Sequence, residues 1–323
     1  VSGNFTRGRR HAKAKALLNA APFALQRRQF YTAAMHGFVV AAERIYAGIR
    51  IVSIDVAIAA LGGGVLAVRV IGSSPRASFY WLLPLGVWVA YTVDHLLDAS
   101  RMGPLARTPR HRFHYQHAGI LWSLVLILSG VCAVGGFVGL SWFGLLYAAV
   151  MCGLVMVHET IVKLAGNRAS PLLVKELGVA VVFTAGVWGM PWMRHRLDTG
   201  RLLGWPVLLM GQYLLLAIVN LIEFSIYESK IDAADHQTSF VRGIGRRRAR
   251  RVVNLLIALQ VPLVLLACWM YRSWPVRLAE CIYLVMTGGL WLVLNMPRFA
   301  ARSERYRTIG DGVFLLPILM LLV

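Results

Sequence analysis

Two short acidic stretches of this chain have the residue types and spacing to hold a divalent cation. In the run NLIEFSIYESKIDAADHQTS, from Asn220 to Ser239, an apolar segment ends in Glu223, Glu228, Asp232 and Asp235. Glu228 and Asp232 stand four apart, so on a continuous helix both carboxylates project from one face, one turn apart. The run FYWLLPLGVWVAYTVDHLLDAS repeats the device with Asp94 and Asp98, and the same offset separates Asp94 from Glu228 and Asp98 from Asp232. Four carboxylates converging on one place repel one another unless cations sit between them. Mg²⁺ prefers oxygen ligands, keeps several waters and bridges one or two carboxylates to phosphate oxygens. The constellation therefore predicts a magnesium-bound diphosphate, with its remaining charge met by Arg101, Arg107, Lys175, Lys230 and Arg242. Metal and basic groups together stabilise a leaving diphosphate as its C–O bond breaks. The competing account is that these acids only pair with loop arginines at a membrane interface; two pairs with matching spacing favour a site.

The elements that must position these residues are membrane spans. The chain has 323 residues, 58 % of them hydrophobic, which is too apolar for an ordinary soluble domain and points to an all-α polytopic membrane protein. Nine apolar runs of about 20 residues, each enough to cross ~30 Å of hydrocarbon as helix, fall near 51–72, 79–99, 118–139, 141–162, 171–192, 203–226, 252–271, 277–296 and 308–323. The acidic pairs close the second and sixth runs, so both lie at the same membrane face. The first run carries Asp55, placed equally well at the interface or in a site, and the triplet Gly62-Gly63-Gly64, which admits a close neighbour. His158 and Glu159 end the fourth run and are expected to face the bundle interior. Lys175 and Glu176 open the fifth run, with Lys175 either a phosphate ligand or a snorkelling anchor. Asp311 near the start of the ninth either caps a helix or faces a cavity. His111, His114 and His117 have a regular spacing but no fourth ligand, so the segment reads as a solvated basic loop, or one meeting anionic lipid or phosphate, and not as a zinc site. Cys132, Cys152, Cys268 and Cys281 all fall inside expected spans and read as small apolar residues, not as disulfides.

Charge fixes the expected orientation. Lys and Arg outnumber Asp and Glu by 34 to 14, giving +20. They crowd the N-terminal segment and every second loop thereafter, and the intervening loops are poorer. By the positive-inside rule the chain is an integral protein of the cytoplasmic (inner) membrane, with its N-terminus cytoplasmic and its C-terminus outside. This distribution serves a membrane and leaves no place for nucleic acid. Residues 1–44 read as a basic cytoplasmic tail leading into an interfacial helix, without a secretory signal, and 45–323 as one transmembrane domain.

In these two motifs the chain resembles the UbiA superfamily of intramembrane prenyltransferases. The family's N-x-x-x-D-x-x-x-D on the second helix corresponds to Ala90, Asp94 and Asp98, and its D-x-x-x-D-x-x-x-G on the sixth to Glu228, Asp232 and His236. The likeness runs from about residue 45 to the end, and the departures at positions 90, 228 and 236 mark a divergent branch. The resemblance implies nine transmembrane helices around a central cavity and Mg²⁺-dependent transfer of a prenyl group from a prenyl diphosphate to a lipophilic acceptor such as a quinone precursor or tetrapyrrole. It implies that Asp94, Asp98, Glu228 and Asp232 carry the metals, with Asn220 and Glu223 deeper on the sixth helix to orient them. A terpene cyclase would use the same ionisation. A different class also fits: a non-catalytic lipid-, quinone- or pigment-binding subunit of a larger membrane assembly, compatible with the missing Asn at position 90 and the basic tail. A transporter fits poorly, because the acids lie at helix ends and not at mid-span.

Overall fold

The computed structural model describes residues 41, 45–165, 174–200, 205–234 and 239–322. The expected tail through residue 44, residue 41 aside, and Asp235 and His236 of the second motif lie outside the described residues. Every regular element among the described residues is helical. Residues 50–323 form one compact unit, built from α1 (Ile54–Ile71), α2 (Phe79–Met102), α3 (Pro109–Gln116), α4 (Ala118–Gly139), α5 (Trp142–Ala165), α6 (Val174–Thr199), α7 (Trp205–Ala234), α8 (Phe240–Ile244), α9 (Arg246–Met270), α10 (Trp274–Asn295), α11 (Pro297–Ala301) and α12 (Arg305–Val313).

Seven of these helices, α1, α4, α5, α6, α7, α9 and α10, are long and apolar enough to cross a membrane. The second expected span, α2, matches them in length at 24 residues. Its apolar character is diluted by Tyr80, Trp81, Pro84 and Tyr91 and by the acids of its last turns. The expected ninth span is not a single helix: α12 ends at Val313 and a 3₁₀ segment, Leu316–Leu322, follows. Pro317 accounts for the break, because it has no N–H to continue the ladder and its ring crowds the carbonyl four residues back.

The glycine triplet makes α1 the central helix. A Cβ on Gly62 would meet the Ile318 backbone nitrogen at 2.8 Å, on Gly63 the Tyr213 hydroxyl at 2.6 Å and Val187 at 2.9 Å, and on Gly64 the Leu83 side chain at 2.8 Å. Three successive glycines thus seat α1 against the C-terminal 3₁₀ segment, the α6–α7 pair and α2. Close approach of this kind is how helices associate where lipid removes the hydrophobic drive between them. A buried chain of amides and acid adds to it: Gln212 on α7 donates to Glu280 on α10 at 2.8 Å, and Gln260 on α9 donates to Gln212 at 3.2 Å. Outside this core, α4 and α5 present Leu126, Phe137, Val138 and Met156 outward, as a lipid-facing surface requires.

The start of α1 is set by a break. Ser53 adopts the left-handed conformation (φ 57°), and the Trp88 indole donates to the Val52 carbonyl at 2.8 Å, pinning the break to α2. The first turn that follows places Asp55 inside the bundle, 1 % exposed.

Candidate functional site

α7 runs without interruption through Glu228 and Asp232 to Ala234, so the one-turn spacing of those acids holds in three dimensions. Asp94 and Asp98 lie likewise in the last turns of α2. Both pairs line one cavity of about 200 Å³, with Lys175 and Glu176 from the first turn of α6, Arg110 and His111 from α3, Asp55 from α1, and Arg307 and Asp311 from α12. Its apolar lining includes Val179, Phe183, Ala217, Leu221, Phe224 and Phe314.

Each acidic pair has one member already compensated by the protein. Asp98 faces the Lys175 ammonium at 3.8 Å and the Arg101 guanidinium at 3.4 Å. Glu228 Oε1 is held by the Arg307 guanidinium and accepts a 2.9 Å hydrogen bond from the Tyr306 hydroxyl. Arg307 also stacks its guanidinium over the Phe224 ring, 5.2 Å from the centroid. Despite burial, the Glu228 carboxylate holds the Arg307 pKa above its ordinary value. Neither Asp94 nor Asp232 takes part in those pairs. Glu176 joins α6, α7 and α8, accepting from the Ser225 hydroxyl at 2.7 Å and from the Phe240 backbone N–H at 2.9 Å.

The other expected ligands divide by their place on the helices. Asn220 lines the cavity, whereas Glu223 does not, although it is fully buried. At 100° per residue Glu223 lies roughly 150° round α7 from the stripe of Ala217, Leu221, Glu228 and Asp232. Arg101 reaches the site only through Asp98. Arg107, Lys230 and Arg242 are not among the lining residues, and Arg107 and Lys230 are exposed.

The histidine segment differs from the expected solvated loop. Thr108 caps α3, accepting from the His111 N–H at 3.3 Å, with Pro109 at the first helical position. His111 and His114 are buried against His95 of α2, with ring centroids 6.3 and 5.3 Å away, and His117 is exposed. Burial, with Arg110 alongside, pushes the His111 imidazole down to about 2, and burial lowers His114 as well. Both rings are therefore neutral at physiological pH. Burial, and then the Arg307 charge, lower the Arg110 pKa, but a guanidinium so placed keeps its proton at neutral pH.

Sequence reasoning passes over Arg110 and Arg307 as lining cations. Arg307 carries one usable signal, its four-residue spacing from Asp311, which puts both on one face of a helix.

Among the described residues no three His, Cys, Asp or Glu side chains gather so that they could hold a metal ion together. That is compatible with Mg²⁺ bound to phosphate, which takes one or two protein carboxylates and completes its shell with phosphate oxygens and water. Asp94 and Asp232, outside the Lys and Arg pairs just described, are the carboxylates suited to such an ion.

The site and bundle together define an integral membrane helical protein with a cavity lined by acids, cations and apolar side chains. No protein-family model matches the chain, and no curated protein does. Among solved structures it is similar to the apo structure of a UbiA homolog from Aeropyrum pernix K1, with 16 % identity and a TM-score of 0.62, over 83 % of this chain and 98 % of that one. The two share an all-helical fold over nearly the whole of the archaeal protein.

Proposed function

We propose that the chain is a divergent member of the UbiA superfamily that transfers a prenyl group from a prenyl diphosphate to a lipophilic acceptor. The observation that carries this reading is the meeting of two acidic helix turns, from α2 and α7, with Lys175, Arg110 and Arg307 around one cavity in a membrane bundle. Asp94 and Asp232 would hold Mg²⁺, assisted by Asp98 and Glu228. The ion, when bound, would neutralise diphosphate charge and so favour its departure. Lys175 and Arg307 would bind the phosphate oxygens that the ion leaves uncovered. Phe183, Phe224 and Phe314 line the same space and would shield an allylic cation from water. The arginine-rich loops support a cytoplasmic face for the site and a cytoplasmic N-terminus.

The test is diphosphate release by the purified protein from prenyl diphosphates of several chain lengths, with and without Mg²⁺. Mg²⁺-dependent release that Asp94→Asn and Asp232→Asn each reduce by about a hundredfold or more is expected, from the loss of a ligand that acts in the transition state. Absence of release across all chain lengths would set the reading aside. One observation favours a second reading: Glu228 is engaged by Arg307 and Tyr306, as in a bundle that has traded metal binding for a fixed ion pair. A lipid- or quinone-binding subunit without turnover would bind an isoprenoid but release no diphosphate.

A further inference from the structure

Once the two acidic turns and Lys175 are assigned to a diphosphate, one wall of the cavity is left over. It consists of Asp55 from α1, Tyr91 from α2, Arg110 from α3, Asn220 from α7 and Asp311 from α12. Asp55 is almost completely buried, yet no other side chain donates to either of its oxygens. The nearby N–H groups are those of its own first helical turn. Asn220 is 6 % exposed and its Oδ1 accepts no hydrogen bond. Asp311 lies within electrostatic reach of Asp55, Arg307, Arg110 and Arg50. Arg110 makes no side-chain hydrogen bond or ion pair among the described residues, although Glu228, Asp311 and Asp94 act on it electrostatically. A buried polar group left without a partner is costly, and more so when charged. Five chain segments have brought acceptors and a donor to one surface without using them on each other.

We propose that this wall is the subsite for a neutral, hydroxyl-bearing head of the acceptor, an inference that rests on the transfer reaction proposed above. The carboxylates and Asn220 Oδ1 require donors, and the Arg110 guanidinium requires an acceptor. A hydroxyl supplies both. An ammonium head would meet repulsion from Arg50, Arg110 and Arg307, and a carboxylate head repulsion from Asp55 and Asp311. The sign-mixed wall therefore selects against either charge and in favour of a polar neutral group. This is selection by unmet hydrogen bonds and like-charge repulsion, which discriminate more strongly than apolar contact does.

The experiment uses the full chain in lipid nanodiscs and three amphiphiles that share a twelve-carbon tail: 1,2-dodecanediol, dodecylamine and laurate. Binding of each is measured without metal, and binding of pyrophosphate with Mg²⁺ is measured separately. The wild-type chain is expected to hold the diol about tenfold or more tighter than either charged amphiphile. Asp55→Asn combined with Asp311→Asn is expected to weaken the diol about tenfold or more and to move the preference toward laurate, because guanidinium groups remain and the carboxylates are gone. Pyrophosphate binding stays as in the wild type. A folding defect weakens every probe together, so the order of the three heads is the deciding quantity, and it is read again in each single variant. Equal binding of the three heads, preference for the amine, or an unchanged order in the variants would overturn the proposal. Failure of the wild type to bind pyrophosphate with Mg²⁺ would strike the transfer reaction instead, leaving the head-group order to judge the subsite.

Discussion

Replacing Arg307 by Gln strands Glu228 inside the bundle, and the size of the effect follows from the surroundings of the pair. The two side chains are 10 % and 14 % exposed, so solvent screens little of their interaction. Removing one partner of a buried pair costs about 3–5 kcal/mol, chiefly because the other charge is left uncompensated. Glu228 keeps the Tyr306 hydroxyl at 2.9 Å, which offsets about 1 kcal/mol. The loss of the guanidinium from the Phe224 face adds back a comparable amount. We therefore expect Arg307→Gln to lower unfolding stability by about 3–5 kcal/mol. Glu228→Gln with Arg307→Gln removes both charges together and is expected to cost less than the sum of the single changes, with a coupling of about 2 kcal/mol. The assay is a double-mutant cycle by reversible unfolding in mixed detergent, followed by tryptophan fluorescence. Coupling within about 0.5 kcal/mol of zero, the usual scatter of independent sites, would refute the electrostatic account of the pair.

Two further outcomes are expected. Gly63→Ala places a Cβ 2.6 Å from the Tyr213 hydroxyl, whereas Gly86→Ala meets nothing within 4 Å; the first should cost about 1–3 kcal/mol and the second should be neutral or mildly stabilising. Equal destabilisation by both in the same unfolding assay would remove the packing role given to the triplet. The His111 imidazole, at about 2 when folded, lies below its unfolded value of 6.5, so the unfolded chain binds the extra proton first. Stability should then be intact above about pH 6.5 and fall by about 1 kcal/mol per pH unit on acidification below it. His111→Gln should flatten that slope, and an unchanged slope would count against a buried neutral ring.

The bundle is legible in the sequence because lipid imposes a simple constraint: about 20 apolar residues in a row become a span, and such runs locate all seven of the long apolar helices. The acidic turns are legible because their chemistry depends on spacing within one helix. What escapes is of other kinds. Hydropathy counts composition and is blind to Pro317, so the last run reads as one helix. The Thr108-Pro109 start signal lies beneath a composition of Arg and His that suggests a loop, and hides the buried face of α3. Glu223 resembles part of the site because it sits near the motif in sequence, but helical angle sends it elsewhere. Arg110 and Arg307 depend on groups far away in the chain; the four-residue spacing of Arg307 from Asp311 marks a shared helix face, and nothing local marks Arg110.

The pattern of compensation bears on two of the three positions, 90 and 228, at which the chain departs from the motifs it resembles. Glu228 has one methylene more than Asp, and its carboxylate is held by Arg307 and Tyr306 of α12. With α12 where it stands, a shorter arm at position 228 would withdraw from that pair, so the length of Glu228 matches the position of α12. At position 90, one turn before Asp94 on α2, the chain has alanine, which is not among the residues lining the cavity. Across the same cavity α7 supplies Asn220, whose Oδ1 is buried and without a hydrogen-bond donor. Gly310 of α12 leaves room for it: a Cβ there would lie 2.3 Å from that oxygen. An amide is thus present on α7, in a space kept open by a glycine of α12, and α12 is the element that packs against both Asn220 and Glu228.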